Sequence, residues 1–150
     1  MAPSVLIESR ISGITELATL RRVAECLSGA RWNARVADPL VDSVRQAILE
    51  GRDPLGEAYT RMVAPTVRRG YGATFTPAAV VQSMLGWARS QRTRFARIVD
   101  PGAGSGRFVL AAARVFPDSE IVAIEKDSEI ARLLRANVAA AGLAGRVRGG

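Results

Sequence analysis

The 150-residue sequence contains no histidine, one cysteine (Cys26) and one lysine (Lys126). Without histidine, a Ser-His-Asp or Cys-His nucleophilic site cannot be assembled from this chain. With no histidine and one cysteine, the usual zinc ligand sets are excluded as well. A single cysteine forms no internal disulfide, and its setting near Ala24 and Leu27 suits a residue packed in a helix. No run reaches the roughly 20 apolar residues of a membrane span. The first residues, Met1 to Glu8, lack the basic start and long apolar segment of a signal peptide. Together these absences point to the cytoplasm, with neither a metal nor a membrane as partner.

What is present is a globular composition. Apolar residues make up 48% of the chain, enough to build a core in one domain of this length. The net charge is +7, and Lys126 apart its cations are arginines. A basic domain suits a polyanion such as nucleic acid. An arginine-heavy, lysine-poor chain also follows from nucleotide composition, and charge alone does not separate the two.

The sequence is organised around Arg97–Phe108, Arg-Ile-Val-Asp-Pro-Gly-Ala-Gly-Ser-Gly-Arg-Phe. The apolar pair Ile98-Val99 ends in Asp100. Gly102, Gly104 and Gly106 then alternate, and Phe108 to Ala113 is a helix-forming run. Strand, glycine turn and helix in that order bring the backbone close to a ligand at the carboxyl end of a parallel strand. Glycine has no Cβ to hold the ligand away. A dinucleotide loop spaces its glycines G-x-G-x-x-G around a pyrophosphate. Here the spacing is G-x-G-x-G, with Arg107 where the dinucleotide pattern has glycine. Asp100 repels phosphate and suits an ammonium or an ordered water. The segment resembles the S-adenosylmethionine-binding loop of class I methyltransferases, D/E-x-G-x-G-x-G. The alternative is a glycine-rich turn with no ligand, but such a turn needs one glycine and not three.

Residues 1 to about 70 read as helical, with no strand pattern, and by themselves as a plain helical cap. Ile14, Leu17, Leu20, Val23, Ala24 and Leu27 form one amphipathic stripe. Asp38-Pro39 and Asp53-Pro54 each supply an N-cap followed by proline at the first helical position. A glycine-loosened loop, Arg68 to Pro77, then leads into a helix over 77–90. Thr76 is its expected N-cap, and Val80, Val81, Met84, Leu85 and Ala88 its buried face. Arg89, Arg92, Arg94 and Arg97 lie at the N-terminal end of the first strand, away from the ligand end, and read as a solvated loop. Further helices are expected at 105–116 and 128–141. Strands are expected near 97–100, 121–124 and 146–148, side by side through right-handed crossovers. Glu125 stands at the end of the second strand, 19 positions beyond Gly106. That is close to the roughly 20 residues that separate a glycine loop from an acid holding ribose hydroxyls.

With these elements in view the chain resembles the N-terminal part of an adenine-specific DNA methyltransferase of the restriction–modification type. Leu55-Gly56-Glu57-Ala58-Tyr59 is similar to that family's L-G-x-x-Y. Gly72 to Pro77 is similar to G-x-[FY]-[FY]-T-P, with Thr74 replacing one aromatic. Asp100 to Phe108 is similar to D-P-[AG]-x-G-S-G-x-F. The resemblance covers residues from about 53 to 150. It implies an α/β fold: a helical region, 1–70, and then, over 71–150, the first half of a Rossmann-like class I methyltransferase sheet, truncated after the third strand begins.

The implied cofactor is S-adenosyl-L-methionine. Phe75, Thr76 and Pro77 would hold its methionine part with Asp100, Pro101, Gly102, Ala103, Gly104 and Gly106. Glu125, with Lys126 beside it, would hold the ribose. DNA would be the partner of the full-length enzyme. The family's catalytic [ND]-P-P-[YF] occurs nowhere in the chain. The resemblance implies that it lies beyond Gly150, so no catalytic residue is expected among the 150. The chain is expected to self-associate or to pair with a missing C-terminal part. Two alternatives accompany this reading. One is a glutamine-methylating enzyme acting on release factors, whose P-R-x-E-T-E-like stretch this chain replaces with Phe75-Thr76-Pro77. The other is a non-catalytic cofactor-binding or interaction fragment.

Overall fold

The computed structural model describes residue 8 and residues 10–29, 38–70, 75–91 and 94–149. After the helical residues 8 and 10–12 come α1 (Leu17–Leu27), α2 (Pro39–Leu49), α3 (Pro54–Met62) and the short α4 (Pro65–Gly70). Both Asp-Pro starts are as expected. The Asp38 carboxylate accepts from the N–H groups of Leu40 and Val41, and Asp53 accepts from that of Gly56. Each cap satisfies amides that the first helical turn leaves without partners. Helix α4 replaces the beginning of the expected loop, so Arg68 to Gly70 end a helix, and a proline at its first position explains the start. Cys26 is half-buried and unpaired on α1. The Tyr71–Thr74 part of the loop and Arg92 lie outside the described residues. So does Gly150, the position beyond which the catalytic tetrapeptide is expected.

Helix α5 (Ala78–Ser90) leads to strand β1 (Arg97–Asp100). Helix α6 (Arg107–Val115), strand β2 (Glu120–Ala123), helix α7 (Ser128–Ala140) and strand β3 (Val147–Gly149) follow. The three strands form one parallel sheet in the order β1-β2-β3. Ile98 lies opposite Ile121, and Ile121 opposite Val147. Each strand and helix expected from Asp38 onward is present, with ends shifted by a residue or two. The first stripe is shorter than expected, because its helix begins at Leu17, which is exposed, and Ile14 is buried in the segment before it. Helix α6 begins later than expected because Gly106 takes a left-handed conformation at its N-cap.

Two expectations for α5 fail. Thr76 does not cap it: the N-cap is Pro77, with no side-chain hydrogen bond. Its buried face is also narrower, limited to Val81 and Leu85. Val80 and Met84 remain about half exposed, at 47% and 50%, and Trp87 is 69% exposed. The cause is packing: α5 meets α6 on one side, and among the described residues β1 has no neighbour on its outer edge.

Two clusters form the core. In one, α1, α2 and α3 pack against Leu133, Ala136 and Ala140 of α7 and Leu110 of α6. In the other, Val81 and Leu85 of α5 join Val109 and Ala112 of α6, Ile121 and Ala123 of β2, and Leu134 and Val138 of α7. Helix α7 therefore serves both. Its first two turns carry Ile130, Leu133 and Leu134 at helical spacing, a stripe wide enough to face the sheet and the N-terminal helices together. The ion pairs Arg21–Glu129 (2.6 Å) and Arg132–Glu25 (3.0 Å) flank the α1–α7 contact. At such exposure they contribute little beside the apolar burial.

Candidate functional site

Strand β1 delivers Asp100 to the carboxyl edge of the sheet, and the chain turns through Pro101 to Gly106 into α6. The glycines of the turn do different work. Gly104 and Gly106 have φ of 57° and 96°, which L side chains adopt only under strain. A Cβ on Gly106 would also come within 2.7 Å of Leu134 Cδ1, so this glycine lets the start of α6 sit on α7. It is not among the residues lining the cavity beside the loop. A Cβ on Gly102 would meet nothing within 4 Å, so the space in front of it is open.

That space is a cavity of about 290 Å³. Asp100 to Ser105 form one wall. Phe75 and Thr76, Val81 and Met84 of α5, and Arg107 and Phe108 of α6 complete it. The Thr76 segment and the glycine loop, separated in sequence, are thus brought face to face. Pro77 stays outside the cavity as the helix cap, and Lys126 is exposed and also outside it.

Glu125 follows β2 and bridges two backbone amides. Its Oε2 accepts from Gly104 N (2.9 Å) and its Oε1 from Asp127 N (2.9 Å). Each oxygen keeps further acceptor capacity. The Asp100 carboxylate accepts from Gly102 N (3.3 Å). Burial above all, and the nearby Glu125 charge, push its pKa up, while the Gly102 N–H pulls it down. Two carboxylates therefore stand at the carboxyl ends of neighbouring strands, a setting that favours a cationic ligand.

Beneath the loop lies a polar cluster that sequence reasoning missed. Asp53, read from sequence as a helix cap, is 2% exposed. Besides Gly56 N (2.9 Å), its carboxylate accepts from Ser105 Oγ (2.5 Å) and Asn137 Nδ2 (2.9 Å). Arg107 lies 3.5 Å away. Burial pushes the Asp53 pKa up, against the donors from Ser105, Gly56 and Asn137 and the Arg107 cation. The available signal was Asn137, a polar residue within the apolar stripe of a helix. Among the described residues, no group of three or more Cys, Asp or Glu side chains could hold a metal ion. No helix among them is long and apolar enough to cross a membrane.

A parallel sheet whose first strand ends in an acid and a glycine turn, with a second acid after its second strand, defines an α/β protein with a cavity beside the turn at the first strand's carboxyl end. The family model of N-6 DNA methylases matches residues 50–146, and the chain belongs to that family. It is 50% identical over 90 residues to the Type II methyltransferase M.XamI of Xanthomonas campestris pv. amaranthicola. The matched stretch is 60% of this chain and 15% of that relative, so the chain spans a small part of the curated protein it matches. No solved structure gives a significant match.

Proposed function

We propose that the chain is the S-adenosyl-L-methionine-binding portion of a DNA methyltransferase that acts on the exocyclic amino group of adenine in a cytoplasmic restriction–modification system. In this reading residues 1–70 support the site, and residues 71–150 carry the first half of a class I methyltransferase sheet. The observation that carries it is the bridge from Glu125 to Gly104 N, which ties the acid after β2 to the glycine turn after β1.

The residues present fit the cofactor. The open space before Gly102 admits a ligand against the backbone. Asp100 offers a carboxylate to the amino group of a methionine moiety, and Glu125 accepts from ribose hydroxyls. Phe75 and Thr76 frame the opposite side, with Pro77 behind them as the helix cap, and Arg107 lies beside Thr76. When bound, S-adenosylmethionine supplies an electrophilic methyl group on its sulfonium. The chain's own residues bind and orient; none is assigned a catalytic role. The same reading has DNA engaged by the whole enzyme, whose catalytic tetrapeptide follows Gly150. The free edge of β1 and the exposed Val80, Met84 and Trp87 are there covered by its C-terminal part.

Calorimetry with S-adenosylhomocysteine tests this. The chain should bind, and Glu125→Ala should lose most of the affinity, because hydrogen bonds to a charged group contribute roughly 1.5–3 kcal/mol each. Equal affinity in variant and parent would place the ribose elsewhere. No binding by the parent would end the cofactor reading.

A further inference from the structure

We propose that Asp53 and Arg107 form a clasp that holds the Thr76 segment against the glycine loop, making the first turn of α3 a positioning element of the ligand site. The ligand half of this inference rests on the cofactor reading above; the clasp itself does not.

Capping explains one of the Asp53 hydrogen bonds, the one from Gly56 N. It does not explain burial, since a cap works equally well at the surface. A carboxylate taken out of water is costly unless paired and hydrogen-bonded. Here the partners come from three other places in the fold: Ser105 of the glycine loop, Asn137 of α7 and Arg107 of α6. The approach is close enough that a Cβ on Gly56 would collide with Asp53 Oδ2 and Ser105 Oγ, so that position is open only to glycine.

Asn137 adds a second strut, donating to Ser105 O as well (2.8 Å). Both neighbours are acceptors, which fixes the orientation of its amide. Its Oδ1 is left buried with no partner. An unsatisfied buried oxygen costs stability that an apolar side chain of similar shape would not. Holding Ser105 in place is what the asparagine gains in return.

The far end of the clasp is Arg107. Its Nη2 faces Asp53 (3.5 Å) and Glu57 (3.9 Å), while its Nη1 donates to the Thr76 carbonyl (3.1 Å). The rigid planar fork of a guanidinium is suited to spanning two acceptors in this way. Tyr59 of α3 sets its ring 6.0 Å from that of Phe75, a second contact between the same helix and the same segment. Loop, Thr76 segment and α3 are thereby joined through one buried carboxyl group.

Asp53→Asn isolates the charge. An asparagine there still accepts from Gly56 N and Asn137 Nδ2 and offers Ser105 Oγ a hydrogen bond, but no longer attracts Arg107. Arg107→Gln opens the other end at a partly exposed position, so the test survives if the buried variant folds poorly. Two compounds are titrated: S-adenosylhomocysteine, and 5′-methylthioadenosine, which lacks the amino-acid part facing Thr76. Each variant should weaken the first roughly tenfold or more and leave the second nearly unchanged. The double variant should lose no more than the stronger single one. Equal weakening of both compounds, or additive losses, would reduce the cluster to ordinary stabilisation and overturn the proposal.

Amide exchange on the unliganded chain decides the clasp separately. The Gly106 amide, bonded to Ala103 O, and the Val80 amide, bonded to Pro77 O, should exchange faster in both variants. The Ile121 amide, bonded to Arg146 O, should not change. Unchanged exchange at Gly106 and Val80 would overturn the clasp. If the parent binds neither compound, the cofactor reading and the ligand half of the inference both fall, and exchange still decides the clasp.

Discussion

Asp100 and Glu125 belong to neighbouring parallel strands, and their closeness sets up opposite demands from stability and from ligand binding. Burial, and secondarily the Glu125 charge, raise the folded-state pKa of Asp100 above its unfolded value. A carboxyl raised in this way contributes stability that is fully present below an unfolded pKa of about 3.9. That contribution is lost as pH rises through the folded value. At neutral pH the ionised group therefore costs the unliganded protein stability. Asp100→Asn, which keeps an acceptor for Gly102 N, should raise the melting temperature at pH 7. The gain should vanish on acidification below about pH 4, where both forms are uncharged. The same variant should bind S-adenosylhomocysteine more weakly at pH 7, because the amino group loses its counter-charge. Thermal melts at the two pH values and a titration at pH 7 check both halves.

At the level of elements, α5 shows how a helix can be correctly located and still be misjudged. Its apolar residues suggest a broad buried face, yet Val81 and Leu85 alone are covered. Leu85→Ala should therefore cost roughly 2–5 kcal/mol, as removal of buried methyl groups does. Met84→Gln, on the half-exposed side and lining the cavity, should change stability by no more than about 0.5 kcal/mol. Urea denaturation of the two variants separates them, and similar losses would mean that the open face is packed in solution. Helix α3 shows the complementary case. Its Leu-Gly-Glu-Ala-Tyr stretch was legible as a family pattern, but the reasons for its residues are tertiary. Leu55 fills the core, Gly56 permits the Asp53–Ser105 approach, and Tyr59 reaches Phe75.

For the whole molecule, the site is divided among parts that no single stretch of sequence contains. In the proposed reading the glycine loop, the Thr76 segment and the acid after β2 would bind the ligand, and α3 and α7 pack behind the loop. Chemistry on adenine requires the base to be taken out of the stack and its amino group held by the enzyme. The [ND]-P-P-[YF] motif that does this in the family is absent from the sequence up to Gly150. The purified chain should accordingly transfer no labelled methyl group to DNA while still binding S-adenosylhomocysteine. Incorporation of label above background by the chain alone would show that a catalytic group within it has been overlooked.

Local chemistry determined much of this in advance. Asp-Pro caps, alternating glycines, the acids at the carboxyl ends of the first two strands and the apolar periodicity of α7 each act within a few residues. They are legible because capping, left-handed turns and helix stripes depend on near neighbours. The sheet order followed as well, since successive parallel strands joined by helices fall side by side. Tertiary structure alone decided the rest. It made Asp53 a buried carboxyl rather than a local cap alone, because Ser105, Asn137 and Arg107 reach it from distant parts of the chain. It freed Thr76 from capping and set it against the glycine loop. It also turned Gly106 toward Leu134 and away from the cavity. A side chain's role there is fixed by what lies across the space it faces, and that neighbour is chosen by the packing of the whole chain.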